Sequence, residues 1–388
     1  MADRPNDQGT MPSLGNVDPI GFLFSSFNVP QDKNGPKQSS NPKAKGIWGT
    51  CAWEIDAEGV LTVHPGKGGE ASGSFGVTGY WFKWRDIVRK VVFAAENGKR
   101  VVAPQNCTGL FGGMANLEVV DVSEGDFSSV TSMSGLLHSC TSLKSVNLSG
   151  VNASKVTDVS AMFNGCFSLE SVDMSNLDIS SVKDLSALFN CIDTYLNPSS
   201  LVRANLSGLV APSVKTMSAM FRSCDSLESV DLSGIKAPKL ENMSAMFYDC
   251  RSLREVDFSM LDTSSVKNME GLFYGCSSLT SIDLSGFNTS NVTSMSSMFK
   301  WCMSLKELDV SSFDTSKITK ADRVIYMFKG CSSLERVVLG ANTNPLGDLP
   351  DNEVRGCTDW FSDKERTCFT AREIGESRLG IPDTYTKG

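Results

Sequence analysis

The chain has 388 residues, a net charge of −8 and only two histidines, His64 and His138. The acidic balance argues against nucleic acid and anionic membrane as main partners. The scarcity of imidazole argues against histidine-based acid–base or metal chemistry. No run of about 18 apolar residues occurs, so no membrane-spanning helix is expected.

Residues 1–45 are rich in Pro, Gly, Asn, Asp, Ser and Lys and lack periodic apolar positions, the composition of a disordered arm or linker. MADRPNDQGT does not lead from a basic end into an apolar core. No signal peptide is therefore expected, and no anchoring tail is read near Gly388. Residues 46–105 read as a β-rich N-terminal cap. CAWEID and VLTVHPG flank a glycine-containing turn and predict a hairpin, and Val88 to Phe93 predict an apolar strand resembling a first rung. Trp48, Trp53, Trp81 and Trp84 all precede the repeats. Lys83, Arg85, Arg89 and Lys90 read as a solvated cap edge, with an anionic wall polymer as the alternative ligand.

Residues 106–340 repeat one phrase, Met-x-x-Met-Phe-x-x-Cys followed by Ser-Leu-x-x-Val-Asp-Leu-Ser. Cys224, Cys250, Cys276 and Cys302 step by 26 residues. A fixed period of this length predicts a solenoid whose units pack only on their neighbours. In the type unit, Met217, Met220, Phe221 and Cys224 fall at i, i+3, i+4 and i+7, one face of a short helix. Leu227, Val230 and Leu232 then predict a strand with one buried face. The expected fold class is an α/β repeat solenoid of leucine-rich-repeat type. It has a parallel β-sheet face, short helices on the other side, a β-rich N-cap and a mixed C-cap. Nine strands are expected, at 117–122, 143–148, 169–174, 201–206, 227–232, 253–258, 279–284, 305–310 and 334–339. Residues 192–200 and the stretch near 321–324 break the period and predict surface loops.

Phe163, Phe189, Phe221, Phe247, Phe273, Phe299 and Phe328 form a file that fills the space behind the sheet. Cys140, Cys166, Cys191, Cys224, Cys250, Cys276, Cys302 and Cys331 form a second file, read as buried free thiols. Rungs about 4.8 Å apart hold neighbouring Cβ atoms slightly beyond disulfide reach, and a linear file does not converge on a zinc ion. Cys357 and Cys368, outside the repeat, are the pair suspected of bridging. Residues 341–388 read as a C-terminal cap. In it Trp360 and Phe361 cover the open end, and Thr370 and Glu373 form a capping box opening a helix.

The outward strand position holds Asp121, Asn147, Asp173, Asn205, Asp231, Asp257, Asp283 and Asp309, with serines two residues on. Carboxylates on neighbouring rungs repel. Solvation with hydrogen bonds to serine and backbone is one reading. A face that engages a partner's basic or hydroxyl-rich surface is the second, and calcium between rungs is the third. The candidate binding residues are Asp121, Asp173, Asp231, Asp257, Asp283 and Asp309. No catalytic, cofactor-binding or metal-binding residue is expected. Paired aspartates of a glycoside hydrolase are a remote alternative, lacking a pocket that would raise one pKa. Asp262, Asn288 and Asp314 predict side-chain-capped turns.

The unit DLSGFNTSNVTSMSSMFKWCMSL resembles the 26-residue repeat of bacterial BspA-type leucine-rich-repeat surface proteins. WGTCAWEIDAEGVLTVHPG and FTAREIGESRLGIPDTYTKG resemble the segments that open and close that array, so the resemblance covers about residues 46–388. It implies non-catalytic recognition or adhesion at the cell surface, with host or bacterial proteins as partners. No cofactor, nucleic-acid partner or membrane insertion is expected, and the chain is expected to be a monomer. The resemblance also implies a cell-surface or secreted location. Because no export signal or anchor is read, an intracellular interaction scaffold is the alternative and a cytoplasmic location stays open.

Overall fold

A computed structural model describes residues 44–387 apart from 72–78, 175–176, 192–197, 207–208, 210, 233–234, 320–325, 344–358, 371–372 and 375–380. The arm expected at 1–45 lies outside the described residues up to residue 43, as do Cys357 and most of both insertions.

The N-terminal cap begins as an antiparallel meander. β1 (Ala44–Trp48) pairs with β2 (Cys51–Ile55), and β2 pairs with β3 (Val60–Val63). β2 alternates strictly, with Cys51, Trp53 and Ile55 buried and Ala52 and Glu54 exposed, the signature of a half-buried strand. Asp56 closes the β2–β3 turn by accepting the N–H groups of Glu58 and Val60 at 3.0 and 2.8 Å. β4 (Gly66–Lys67) opens a small parallel sheet. β3 then turns the pairing parallel by receiving β5 (Lys90–Phe93), so the hairpin serves as the template for the stack. β6 (Val101–Val102) pairs with β4.

The rungs follow in register. β7 (Val119–Asp121) pairs with β5, β8 (Gly125–Asp126) with β6, and β9 (Ser145–Asn147) with β7, all parallel. β10 (Ser171–Asp173), β11 (Arg203–Asn205), β12 (Ser229–Asp231) and β13 (Glu255–Asp257) make the next parallel group. β14 (Glu307–Val310) pairs with β15 (Arg336–Leu339). Strands thus form inside eight of the nine expected ranges. At 279–284 Leu279 and Leu284 are buried as in the other rungs, but no strand pairing is formed there.

The wall behind the sheet corrects the expected short helices. Residues 217–224 and their equivalents form a ribbon of β-turns. Met220, Arg222 and Cys224 donate to the carbonyls three residues back, at 3.2, 3.1 and 3.1 Å. The alternate N–H groups of Met217, Ala219, Phe221 and Ser223 cross instead to Asn242, Ser244, Met246 and Tyr248 of the next rung at 2.6–2.9 Å. Every fourth residue is left-handed, as at Ala219 (φ 55°) and Ser223 (φ 60°), then Ala245 (φ 54°) and Asp249 (φ 57°). Apolar spacing of i, i+3, i+4 and i+7 suits a turn ribbon of period four as well as a helix of period 3.6. A helix keeps its N–H groups to itself, whereas this ribbon gives half of them to its neighbour. That cross-rung ladder makes the solenoid bonded on both sides.

The interior is filled by the expected files. The phenylalanine rings from Phe163 to Phe328 stack within 12° of parallel, with centroids 5.3–6.1 Å apart. Cys140, Cys166, Cys224, Cys250, Cys276, Cys302 and Cys331 are buried free thiols in one column. Each donates to a backbone carbonyl of the preceding rung at 2.9–3.2 Å. Cys191 is a correction. It is buried and free but sits one backbone position short of that column.

The array ends in a different geometry. β16 (Asp359–Ser362) pairs with β17 (Thr367–Thr370), and β18 (Asp383–Lys387) lies antiparallel between β16 and β15. The last rung's strand edge is therefore covered, which blocks further stacking. Trp360 is fully buried and Phe361 half-buried. The capping box is formed: Thr370 N–H donates to Glu373 Oε2 at 2.8 Å and Glu373 N–H to Thr370 Oγ1 at 3.1 Å. Glu373 and Ile374 are the only α-helical residues among those described.

Candidate binding face

The short parallel strands place every second side chain outward on one face. Register puts Asp121 beside Asn147, Asp173 beside Asn205, Asn205 beside Asp231, and Asp231 beside Asp257. Asp283 follows on the unpaired rung and Asp309 on β14. All six candidate aspartates lie on this one file. Asp121 is half-buried and the other five are exposed.

Each carboxylate with a resolved partner caps the turn that ends its own strand. Asp121 Oδ1 accepts the Ser123 hydroxyl at 2.7 Å and its N–H at 3.1 Å. The N–H groups of Ser259, Ser285 and Ser311 donate to Asp257, Asp283 and Asp309 at 2.8, 2.9 and 2.9 Å. These bonds set the charge state. Burial works to raise the Asp121 carboxyl, but Ser123, the Asn147 amide and Lys90 outweigh it and hold it below its ordinary range. The Ser259 and Ser285 turns lower Asp257 and Asp283 in the same way. A general acid of a glycosidase needs a raised carboxyl, so these shifts run against that alternative. Among the described residues no group of three His, Cys, Asp or Glu side chains is placed to hold a metal ion.

Asn147 shows what the turn itself requires. Its Oδ1 accepts the Ser149 N–H at 3.1 Å and hydroxyl at 2.7 Å, the same cap without charge. Its amide donates to Asp121 at 3.1 Å, relieving repulsion between rungs. Alternation of Asp and Asn ends at Asp231, which opens a run of four consecutive rungs that carry aspartate. Glu255 and Glu307, exposed on the same face two residues before Asp257 and Asp309, were not in the expected set. The period-two alternation that selected the aspartates selects them as well. Arg203 of β11 and Arg336 of β15 flank the acidic stretch, and Arg336 pairs with Glu307 at 3.7 Å.

The turn before the wall is capped as expected. Ser264, Ser290 and Ser316 N–H groups donate to Asp262, Asn288 and Asp314 at 2.9, 3.1 and 2.9 Å. The basic cap segment is engaged locally. Lys83 Nζ sits 3.9 Å from the Trp84 ring centroid, and Arg89 reaches Glu118 at 3.1 Å.

Three overlapping stretches, 105–203, 193–258 and 254–351, match the model of one family, described as "Mycoplasma protein of unknown function, DUF285". The chain belongs to this family. All of the DUF285 match falls on the turn-walled rungs and the stretch just after them. No curated protein matches the chain. Among solved structures, a leucine-rich-repeat protein of T. pallidum is 18% identical, with a TM-score of 0.27 over 74% of this chain and 92% of its own. One from Eubacterium ventriosum is 14% identical, with a TM-score of 0.23 over 76% and 90%. The Leptospira interrogans protein LIC12759 is 13% identical, with a TM-score of 0.19 over 69% and 82%. The leucine-rich-repeat architecture of this DUF285 chain is carried by its own ladders and its own Leu-x-x-Val-x-Leu strands.

Proposed function

We propose that this chain is a non-catalytic recognition solenoid whose acidic sheet face binds a basic protein surface. Asp121, Asp173, Asp231, Asp257, Asp283 and Asp309 are the binding residues, and residues 106–340 carry the function between two caps. The observation behind this reading is the run Asp231, Asp257, Asp283 and Asp309. Asn147 caps the same turn without charge, so the carboxylates exceed what folding needs. Together with Glu255 and Glu307 they concentrate like charge, which disfavours the free face and favours a cationic partner. The BspA-type resemblance supports a bacterial cell-surface location for this activity, with host or bacterial proteins as partners and the chain acting as a monomer.

Changing the four aspartates to asparagine keeps shape and removes charge. Adhesion of the purified chain to an immobilised host protein or partner cell should fall about tenfold or more, and wild-type adhesion should weaken as salt rises. A quadruple variant that adheres as well as wild type would reduce the file to turn capping and pass attention to residues 192–200.

One observation favours an intracellular scaffold. Among the described residues ten cysteines are buried and free, a composition at home in a reducing compartment. Protease shaving of intact cells separates the readings, since only a surface protein is cleaved.

A further inference from the structure

The thiol file departs from its own geometry at one rung. In regular rungs the cysteine follows the phenylalanine by three residues, as in Phe163 to Cys166, Phe221 to Cys224 and Phe247 to Cys250. Each such thiol then reaches back to the preceding rung, Cys250 to the Phe221 carbonyl at 2.9 Å and Cys276 to the Phe247 carbonyl at 3.1 Å. After Phe189 the cysteine comes one residue early. The Cys191 N–H donates to the Arg222 carbonyl at 2.9 Å, the bond that Ser223 makes to Tyr248 one rung later. Cys191 therefore occupies the backbone site of Ser223. Its thiol reaches the carbonyl of its own rung, Phe189, at 3.3 Å. Cys224 donates to that same oxygen at 3.1 Å. Two sulfurs converge on one acceptor, whereas Cys250, Cys276, Cys302 and Cys331 each have a carbonyl of their own.

We propose that Cys191 and Cys224 are an oxidisable pair, converted by a peroxide into a disulfide that staples the irregular rung to the next one. The Cys191 sulfur attacks the O–O bond of hydrogen peroxide and becomes a sulfenic acid, releasing one water. The Cys224 sulfur then attacks that sulfur, the S–O bond breaks, and hydroxide leaves with the Cys224 proton as a second water. Two thiols lose two electrons and one peroxide gains them. The neighbouring Cys224 side chain lowers the Cys191 thiol, while burial raises Cys224, which fits the roles of attacking and resolving sulfur. Both are buried, with 3% and 0% exposure, so local opening gates the reaction and a small oxidant is favoured over bulky thiol reagents.

The test uses the full chain with Cys357→Ser and Cys368→Ser, which removes the two thiols beyond the repeat. Protein treated with hydrogen peroxide is alkylated in denaturant, digested and analysed by mass spectrometry without and with reductant. The expected result is one reducible peptide pair joining Cys191 to Cys224, two fewer titratable thiols, and unmodified Cys250 and Cys276. Inserting one alanine between Asn190 and Cys191 restores the regular spacing and should abolish the link while both thiols remain. Should that variant fail to fold, Cys191→Ser should leave every other column thiol reduced under the same treatment. The proposal is overturned by links forming equally at Cys250 and Cys276, by sulfinic acid at Cys191 without a link, or by no thiol loss. It is also overturned by a link that survives the insertion, or by Cys224 finding another partner in Cys191→Ser.

Discussion

The thiol of Cys250 donates to the carbonyl oxygen of Phe221, one rung earlier, at 2.9 Å. That oxygen already accepts the Cys224 N–H at 3.1 Å, so the thiol occupies the second lone pair of a carbonyl sealed inside the stack. The cysteine column is thus selected for a donor as well as for small size. Cys250→Ala should lower stability by about 1–2 kcal/mol, through lost volume and a half-satisfied carbonyl. Cys250→Val restores volume without the donor and should remain below wild type in denaturant melts. A valine variant as stable as wild type would show that the S–H bond contributes nothing.

Ala245 distinguishes a turn wall from a helical one by the sign of a single substitution. In a helix interior Ala→Gly costs about 1 kcal/mol. At φ 54° glycine is the unstrained residue, and Gly271 holds the same position one rung on. Ala245→Gly should therefore stabilise by up to about 1 kcal/mol, and Ala245→Val should destabilise by a similar amount or more. A fall in melting temperature for Ala245→Gly would contradict the ribbon.

Phe247 sits between Phe221 and Phe273, with ring centroids 5.5 and 5.8 Å away. Phe247→Ala should cost about 3–5 kcal/mol. Because rungs touch only their neighbours, loosening should begin in the middle of the array. Hydrogen exchange should accelerate first between residues 221 and 273, and uniform exchange along the array would count against this placement.

The periodicity of 26 made the rungs, the phenylalanine file and the outward aspartates legible, because each depends only on which side chains recur. The wall was misread because Met217, Met220, Phe221 and Cys224 bury the same face in a helix and in a four-residue turn ribbon. Small residues at Ala219, Ala245 and Gly271 were the available signal, since a left-handed position favours side chains with little bulk. The Cys191 displacement was also open to counting, in the two-residue step from Phe189. Glu255 and Glu307 escaped because the repeat does not fix their column, which holds serine at Ser145, Ser171, Ser229 and Ser281.

The buried thiols make the protein sensitive to alkali. Burial pushes Cys107, Cys140 and Cys331 up to about 12. In the unfolded chain these thiols ionise near pH ~8.5, so above that pH the folded state binds more protons and stability falls as pH rises. The contribution is fully present below pH ~8.5 and is lost up to about pH 12, at up to about 1.4 kcal/mol per pH unit for each thiol. In the presence of reductant, the denaturant midpoint should drop steeply between pH 9 and about pH 10.5. A flat midpoint over that range would place the thiols in water.

The wall ladder also gives the array an electrical direction. The peptide between Ser218 and Ala219 accepts from Ala187 behind it and donates to Ser244 ahead, and the peptides at Thr216, Met220 and Arg222 are aligned alike. Peptide dipoles laid head to tail sum. Here the carbonyl, negative pole faces the N-terminal cap and the N–H, positive pole faces the C-terminal one, the reverse of a single helix. The first unit's carbonyls at Gly109 and Leu110 lie so close to Gly79 that a Cβ there would sit 2.3 Å from each oxygen. The chain that leaves Gly79 carries Lys83 and Arg85 within six residues. The chain segment that carries the cap's basic residues thus leaves from the end of the wall where the accumulated dipole is negative.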